Sequence, residues 1–254
     1  MTISEIFFSP TGGTRRVADI LAKALGNDIR TIDLANPHSV NGDNMAINNN
    51  DVAIIAAPSY AGRLPGPAAE RITRLNGNGA QAVIVCVYGN RAYEDTLVEL
   101  NDLAEQAGFK VTAAITAIAE HSMARRYATG RPDDDDKATL EDFATQINEK
   151  LTSGNHTRPE IPGHRPYKET GRLGMIPYPT RACNRCGTCA AQCPVQAIDH
   201  GDVKKVDRSK CFSCMRCVTI CPRSTRRINP FMKFMVNRHL KKVCSTRRNP
   251  ELFL

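Results

Sequence analysis

The most constraining feature of the sequence is a cysteine pattern that occurs twice. Both copies read C-x2-C-x2-C-x3-C-P, as CNRCGTCAAQCP over residues 183–194 and CFSCMRCVTICP over residues 211–222. The first 150 residues contain a single cysteine, Cys86. Eight of the ten cysteines therefore belong to the repeat, and the fold of this region has to bring them together.

The spacing of the repeat predicts two iron–sulfur clusters. Three cysteines at intervals of three residues can surround one corner of a cubane, and a fourth cysteine followed by proline binds the neighbouring cluster. A structural zinc site would need one quartet of CxxC pairs, not two interleaved runs. The predicted ligands of the first [4Fe–4S] cluster are Cys183, Cys186, Cys189 and Cys221, and those of the second are Cys211, Cys214, Cys217 and Cys193.

Composition and the N-terminal sequence indicate a cytoplasmic protein. The chain is 41% hydrophobic and 24% charged, as in ordinary soluble globular proteins. It has no run of 18 apolar residues, so no transmembrane segment is expected, and MTISEIFFSP does not look like a secretory signal. In a reducing compartment cysteines serve as metal ligands more readily than as disulfides. We expect Cys86 to be a core residue and Cys244 to take no part in the chemistry.

Positive charge is concentrated at the C-terminal end. Residues 223–254 hold nine of the 34 Lys and Arg residues but one of the 26 Asp and Glu residues, Glu251. Apolar residues from Phe231 to Val243 recur near helical spacing, so a helix packed over the cysteines is expected. The alternative is a docking face for an acidic redox partner. Nucleic acid is not an expected partner, because no stacking aromatics or known motif accompany the charge, and association with a membrane surface is a further alternative.

Four regions follow from composition. Residues 1–151 form a domain of alternating strands and helices, and residues 152–180 form a linker with five Pro and four Gly. Residues 181–222 are the cysteine module, and residues 223–254 are the basic tail. The first region has five strand patterns alternating with helical patterns, which predicts an α/β domain with a parallel sheet covered on both faces.

The loop SPTGGT follows the first strand pattern and precedes a helix. Hydroxyls of Ser9, Thr11 and Thr14 and the backbone of Gly12 and Gly13 are suited to bind a phosphate at a helix N-terminus. The loop lacks the P-loop lysine and does not read G-x-G-x-x-G, so neither a triphosphatase nor a dinucleotide fold is indicated. The alternative is a simple helix cap formed by Thr11 or Thr14.

This loop resembles the FMN phosphate loop of flavodoxins, and the strand layout of residues 1–151 is similar to theirs. The resemblance implies a five-stranded sheet in the order 2-1-3-4-5 and a bound FMN. It implies that three loops hold the FMN. Their residues are Ser9, Thr11, Gly12, Gly13 and Thr14; Pro58, Ser59, Tyr60, Ala61 and Gly62; and Tyr88, Gly89, Asn90, Arg91 and Tyr93.

Within those loops, particular residues are expected to face the flavin ring. Tyr60 and Tyr93 are candidates to stack on it, although each also fits a half-buried position at a strand end. Gly89 permits a backbone carbonyl to turn toward the flavin, because glycine tolerates a positive φ. His121, after the fifth strand, is either a proton donor at the flavin edge or a structural hydrogen-bonding residue.

Residues 181–222 resemble bacterial-type ferredoxins with two [4Fe–4S] clusters, a small α+β fold. The whole chain, with SYAGRLP, YGNRAYED, AEHS and PELFL, resembles flavodoxin/ferredoxin fusion proteins of anaerobes. That resemblance implies an electron-transfer protein that carries electrons between FMN, the clusters and a redox partner protein. The alternative is a flavin-dependent oxidoreductase that reduces a quinone or NAD(P) and takes electrons through the clusters.

Overall fold

The structure is a computed structural model and describes residues 2–38, 46–155, 157–171 and 174–254. The strands are β1 (Ile3–Phe7), β2 (Ile29–Asp33), β3 (Val52–Pro58), β4 (Gln81–Tyr88), β5 (Lys110–Ile118), β6 (Tyr178–Pro179), β7 (Arg226–Arg227) and β8 (Glu251–Phe253). The helices are α1 (Gly13–Leu25), α2 (Gly66–Ile72), α3 (Thr96–Gln106), α4 (Asp134–Thr152), α5 (Thr188–Ala191), α6 (Arg216–Thr219) and α7 (Pro230–Lys241).

The N-terminal domain is built on a parallel sheet with the strand order β2-β1-β3-β4-β5. Strands β3 and β4 are apolar nearly throughout because both of their faces are covered by helices. One apolar cluster lies under α2 and α3, and the other lies under α1 and α4. The predicted α/β fold and its strand order are confirmed, and Cys86 is fully buried in the first cluster, as expected.

The sheet has a sixth strand that the sequence pattern did not predict. The last residues of the chain form β8, which pairs antiparallel with β5 and places Leu252 beside Ile115. The carboxylate of Glu251 anchors this strand, because it accepts hydrogen bonds from Thr116 Oγ1 at 3.0 Å and from the Tyr93 hydroxyl at 3.1 Å. The basic tail therefore returns to the N-terminal domain.

The predicted linker packs along α3. Asp95 accepts hydrogen bonds from the backbone of His164 at 2.9 Å and of Lys168 at 2.7 Å. Asp102 binds Arg165 Nε at 2.7 Å and also the hydroxyl of Tyr167. The Arg165 guanidinium beside Asp102 holds the pKa of that carboxyl at about 2. The described part of the linker is thus held by hydrogen bonds and ion pairs.

The cysteine module has its own small core and its own sheet. Ala190, Ala197, Ile198 and Val203 form the core with several of the cysteines. Its two-stranded sheet pairs β6 with β7. The first of these strands lies before residue 181 and the second lies after residue 222, so the sheet extends beyond the predicted limits of the module at both ends. In the part of the chain that the structure describes, no helix combines the length and apolarity needed to cross a bilayer.

Candidate functional site

A cavity of about 560 Å³, which we call the large cavity, lies at the carboxyl ends of the central strands. Its walls come from the loops after β1, β3, β4 and β5, within residues 10–14, 58–61, 87–92 and 119–123. Ligands of open parallel sheets bind at this edge, next to the point where the strand order reverses, here between β1 and β3. The topology therefore creates the cavity where the sequence predicted a binding site.

The loop after β1 leads into the N-terminus of α1 at the cavity wall. Gly12 has a φ of 92°, which favours glycine, and Ser9 Oγ accepts a hydrogen bond from the backbone of Arg15 at 3.0 Å. A Cβ added to Gly13 would lie 2.8 Å from Cβ of Ala119, so the loop backbone approaches the opposite wall closely. Unpaired backbone N–H groups at a helix N-terminus bind phosphate, and this cradle fits the phosphate group of FMN.

Most of the residues predicted to hold FMN line this cavity. They are Thr11, Gly13, Thr14, Pro58, Ser59, Tyr60, Ala61, Tyr88, Gly89 and Arg91. Ser9, Gly12, Gly62, Asn90 and Tyr93 are not part of its lining. Ser9 and Gly12 shape the first loop, while Gly62, at a φ of 89°, leaves space that the Glu94 carboxylate fills.

The structure differs from expectation in the third loop. The Tyr93 ring packs edge-on against Tyr88, with centroids 5.5 Å apart, and its hydroxyl binds Glu251 in β8. Gly89 does not have a positive φ; that conformation falls on Asn90, with a φ of 66°. Gly89 is required instead because a Cβ there would lie 2.7 Å from the His121 ring. The sequence could not predict these positions because each depends on a distant segment.

His121 lies in the cavity wall as a neutral side chain. Burial, with a smaller contribution from the nearby Arg91 guanidinium, lowers the pKa of His121 to about 4. Its Nδ1 lies 3.3 Å from the backbone nitrogens of Met123 and Ala124 and accepts their hydrogen bonds. Because Nδ1 is an acceptor, the proton of the neutral ring resides on Nε2. His121 therefore combines the structural role with a proton held at a cavity-lining ring.

The outer wall of the cavity comes from segments that the sequence reasoning did not assign to it. Helix α7 contributes Met235, Val236, His239 and Leu240, and the linker contributes Lys168 and Met175. Leu240 and Cys244 pack with Ala124 and Tyr127, so the expected packing of the tail over the cysteine module is wrong. The apolar periodicity of the tail was the available signal, but periodicity does not identify the surface that a helix covers.

Cys244 has a structural role at the edge of the cavity. It is buried, its thiol donates to the carbonyl of Gly89 at 3.8 Å, and its own carbonyl accepts a hydrogen bond from Asn90 Nδ2 at 2.9 Å. The third loop and the tail are therefore tied together at the cavity edge.

The eight cysteines of the repeat line two separate small cavities in the cysteine module. Cys183, Cys186, Cys189 and Cys221 line one, which we call the first cysteine cavity. Cys193, Cys211, Cys214 and Cys217 line the other, the second cysteine cavity. The fold therefore groups the cysteines in the two interleaved quartets that the sequence predicted, and thiolates are the preferred ligands of [4Fe–4S] clusters, so the donor set fits such clusters.

The second cysteine cavity lies against the loops of the large cavity. Phe212 lines the second cysteine cavity, and its ring centroid is 6.1 Å from that of Phe8 and 6.2 Å from that of Tyr60. The Tyr60 hydroxyl donates to the Cys214 carbonyl at 3.4 Å, and Arg216 Nη1 donates to the Ser9 carbonyl at 3.4 Å. Tyr60 lines the large cavity, so one aromatic contact connects the two sites.

Comparison with known proteins identifies the C-terminal module. The 4Fe-4S dicluster domain family matches residues 182–226. Ferredoxin-1 of Chlorobaculum tepidum is 34% identical over 55 residues, which cover 19% of this chain and 89% of that protein. One component of the Na(+)-translocating ferredoxin:NAD(+) oxidoreductase complex of Acetobacterium woodii is 46% identical over 50 residues, which cover 19% of this chain but 15% of that larger protein.

Among solved structures, flavodoxins align with the N-terminal domain. The flavodoxin of Streptococcus pneumonia TIGR4 aligns with a TM-score of 0.43 and 21% identity over 59% of this chain and 99% of that one. A flavodoxin from the domain Archaea aligns with a TM-score of 0.44 and 14% identity over 60% of this chain and 99% of that one.

The strand order β2-β1-β3-β4-β5 is that of flavodoxin-like folds, and the domain that carries it precedes the cysteine module. Through its 4Fe-4S dicluster domain the chain belongs to the ferredoxin family, and that domain is joined to an N-terminal domain with a flavodoxin-like fold.

Proposed function

We propose that the protein transfers electrons between a bound FMN, two [4Fe–4S] clusters and a redox partner protein in the cytoplasm. When bound, FMN exchanges one or two electrons, whereas each cluster exchanges one, so the two kinds of cofactor together connect two-electron and one-electron donors and acceptors. The protein binds and orients these groups and adjusts their potentials through its charges and hydrogen bonds.

Each cofactor has a set of residues suited to it. The phosphate of FMN would lie against Thr11, Gly13 and Thr14 at the start of α1, while Tyr60 and Tyr88 line the part of the cavity beyond the loop. The clusters would be bound by the quartets of the first and second cysteine cavities. A cytoplasmic location suits free cysteines that serve as ligands.

The observation that carries this proposal is the contact between the second cysteine cavity and the FMN loops. Phe212 packs on Phe8 and Tyr60, and the backbone of Cys214 accepts the hydrogen bond of the Tyr60 hydroxyl. A protein in which the two modules worked independently would have no need for this contact. This contact supports the proposal, because it would keep a cluster in the second cysteine cavity beside an FMN in the large cavity, as electron exchange between them requires.

A flavin-dependent reductase is the second candidate, and His121 favours it. This ring lines the large cavity and holds a proton on Nε2, so it is suited to protonate a small reduced substrate beside the flavin. Against this candidate, Met235, Val236 and Leu240 of α7 occupy the outer wall. Reduction of the protein by NADPH or NADH alone, without a partner protein, would favour the reductase.

A matched pair of glycine substitutions tests the cofactor assignment. Gly13 and Gly66 each begin a helix, but a Cβ at Gly13 would lie 2.8 Å from Ala119 whereas a Cβ at Gly66 meets nothing within 4 Å. After anaerobic reconstitution we expect wild-type protein and Gly66→Ala to hold one FMN and about eight irons. We expect Gly13→Ala to bind FMN roughly tenfold more weakly, because overpacking costs about 1–3 kcal/mol, and to keep its iron. Equal FMN affinity in the two variants, or half the iron in the wild type, would contradict the proposal.

A further inference from the structure

Arg226 is a buried arginine between the two cysteine cavities. Its side chain belongs to β7, is 3% exposed, and lines both the first and the second cysteine cavity. Its Nη1 donates to the Val203 carbonyl at 2.9 Å and to the Cys189 sulfur at 3.5 Å, and its Nη2 donates to the Pro177 carbonyl at 3.2 Å. The guanidinium therefore contacts a predicted cluster ligand directly.

The charge of Arg226 has no acidic partner among the described residues. None of their ion pairs includes it, and its Nε is buried without a hydrogen-bond partner in that part of the chain. An unpaired buried cation is strongly unfavourable unless an opposite charge lies close to it. Iron–sulfur clusters ligated by four thiolates are anionic, and the two cysteine cavities are the places where such charge would reside.

The internal repeat shows that packing alone does not call for an arginine here. In each half, the residue four positions after the last cysteine donates its backbone N–H to that sulfur, Ala197 to Cys193 at 3.3 Å and Thr225 to Cys221 at 3.4 Å. The next residue is Ile198 in the first half and Arg226 in the second. Both are buried, so equivalent positions hold an apolar side chain and a charged one.

We propose that the buried positive charge of Arg226 raises the reduction potentials of both clusters. Reduction adds one electron to a cluster and so increases its negative charge, and a buried cation between the two sites stabilises that reduced form with little screening by solvent. Arg226 acts on both clusters, because its guanidinium donates to Cys189 in the first cysteine cavity and also interacts with Cys217 in the second. This inference rests on the proposed function, since it needs both clusters to be bound.

Replacing Arg226 with the residue of the other half-repeat is the most informative test. The full chain with its cofactors is reconstituted anaerobically as wild type, Arg226→Ile, Arg226→Gln, Arg226→Lys and Arg227→Ile. Each is titrated with dithionite against mediator dyes, and the reduced clusters are counted by their EPR signals. Arg227 is the matched control, because it is the adjacent β7 residue and is exposed.

We expect both potentials to fall in Arg226→Ile and Arg226→Gln. For the cluster of Cys189, the ratio of reduced to oxidised protein at a fixed potential should fall at least tenfold, which is about 59 mV for a one-electron couple. Arg226→Lys should keep most of the wild-type potentials, and Arg227→Ile should leave both unchanged.

Two results would overturn the proposal. One is unchanged potentials in Arg226→Ile or Arg226→Gln protein with full iron content. The other is loss of the clusters from both of these variants, with no return of wild-type potentials in Arg226→Lys, since Arg226 would then maintain the fold only. Failure of the proposed function is distinguishable, because it would show first as wild-type protein without two clusters or without FMN.

Discussion

Replacing Asn90 with alanine is expected to release the C-terminal tail from the large cavity. Asn90 is buried in the third loop, and its side chain makes three hydrogen bonds with the tail backbone. Its Nδ2 donates to the carbonyls of Cys244 at 2.9 Å and Thr246 at 2.8 Å, and its Oδ1 accepts from the backbone of Arg248 at 3.0 Å. These three residues lie within seven positions of Lys241, the last residue of α7, so Asn90 ties down the segment that follows the helix covering the cavity.

The magnitude follows from these contacts. A hydrogen bond of this kind contributes about 1 kcal/mol net, so loss of all three costs about 3 kcal/mol. Asn90 also has a φ of 66°, where alanine adds about 1 kcal/mol because it tolerates the left-handed region less well than asparagine. At about 1.4 kcal/mol for each factor of ten, opening of the tail should become at least about a hundredfold more frequent.

The assay is amide hydrogen exchange followed by mass spectrometry, on protein loaded with its cofactors. In Asn90→Ala, amides of α7 and β8 should exchange roughly a hundredfold faster, while those of β3 and β4 keep their protection. Asn90→Gly relieves the backbone strain but still lacks the three hydrogen bonds, so it should show nearly the same acceleration of exchange. The matched control is Asn78→Ala, because Asn78 is exposed and also has a positive φ of 49°.

Wild-type protection of α7 in Asn90→Ala would refute this account of the tail. Equal acceleration in Asn78→Ala would also refute it, because the effect would then reflect general strain. FMN should also dissociate faster from Asn90→Ala than from the control, since α7 forms the outer wall of the cavity.

Two further predictions concern buried charges and the contact between the modules. Burial raises the pKa of Glu5 from 4.5 to about 7, so the contribution of Glu5 to stability falls as the pH rises from 4.5 to 7. The pKa of His121 is lowered from 6.5 to about 4, so the contribution of His121 to stability rises with pH between 4 and 6.5. The two contributions therefore change in opposite directions between pH 5 and 6.5. In urea unfolding over this range, the free energy of unfolding should rise with pH in Glu5→Gln and fall with pH in His121→Gln. The same direction of change in both variants would contradict the pKa assignments. Phe212→Ala removes ring contacts with Phe8 and Tyr60 that contribute about 1–2 kcal/mol. Stopped-flow absorbance should then show slower electron exchange between flavin and clusters, while the FMN and iron contents stay unchanged. An unchanged rate would count against this contact as the route of the electrons.

The features that follow from local pattern could be predicted from the sequence. The apolar runs of β3 and β4 reveal strands buried on both faces, and the spacing of the cysteines predicted which four would gather in each cavity. The start of α4 also has a local signal, because the side chain of Asp133 caps the helix and the acidic residues that follow it favour a helix N-terminus. In each case neighbouring residues contain the whole signal.

The features that depend on distant segments could not be predicted. Tyr93 turns from the cavity to Glu251, which lies 158 residues further along the chain, and the Asn90 side chain binds the backbone of the tail. β8 is a strand because it pairs with the edge of β5, and three residues are too few to show a pattern of their own. Arg226 stands where the other half-repeat has isoleucine, and its burial becomes evident when both cysteine cavities are in place.

The central claim is that one chain holds an FMN and two clusters that exchange electrons. Its most direct test is an anaerobic dithionite titration of fully loaded protein, monitored by flavin absorbance and by EPR of the clusters. We predict uptake of about four electrons per chain, two by FMN and one by each cluster, with the three centres reaching a common equilibrium after each addition. Uptake of about two electrons, or a flavin and clusters that stay out of equilibrium with each other, would contradict the account.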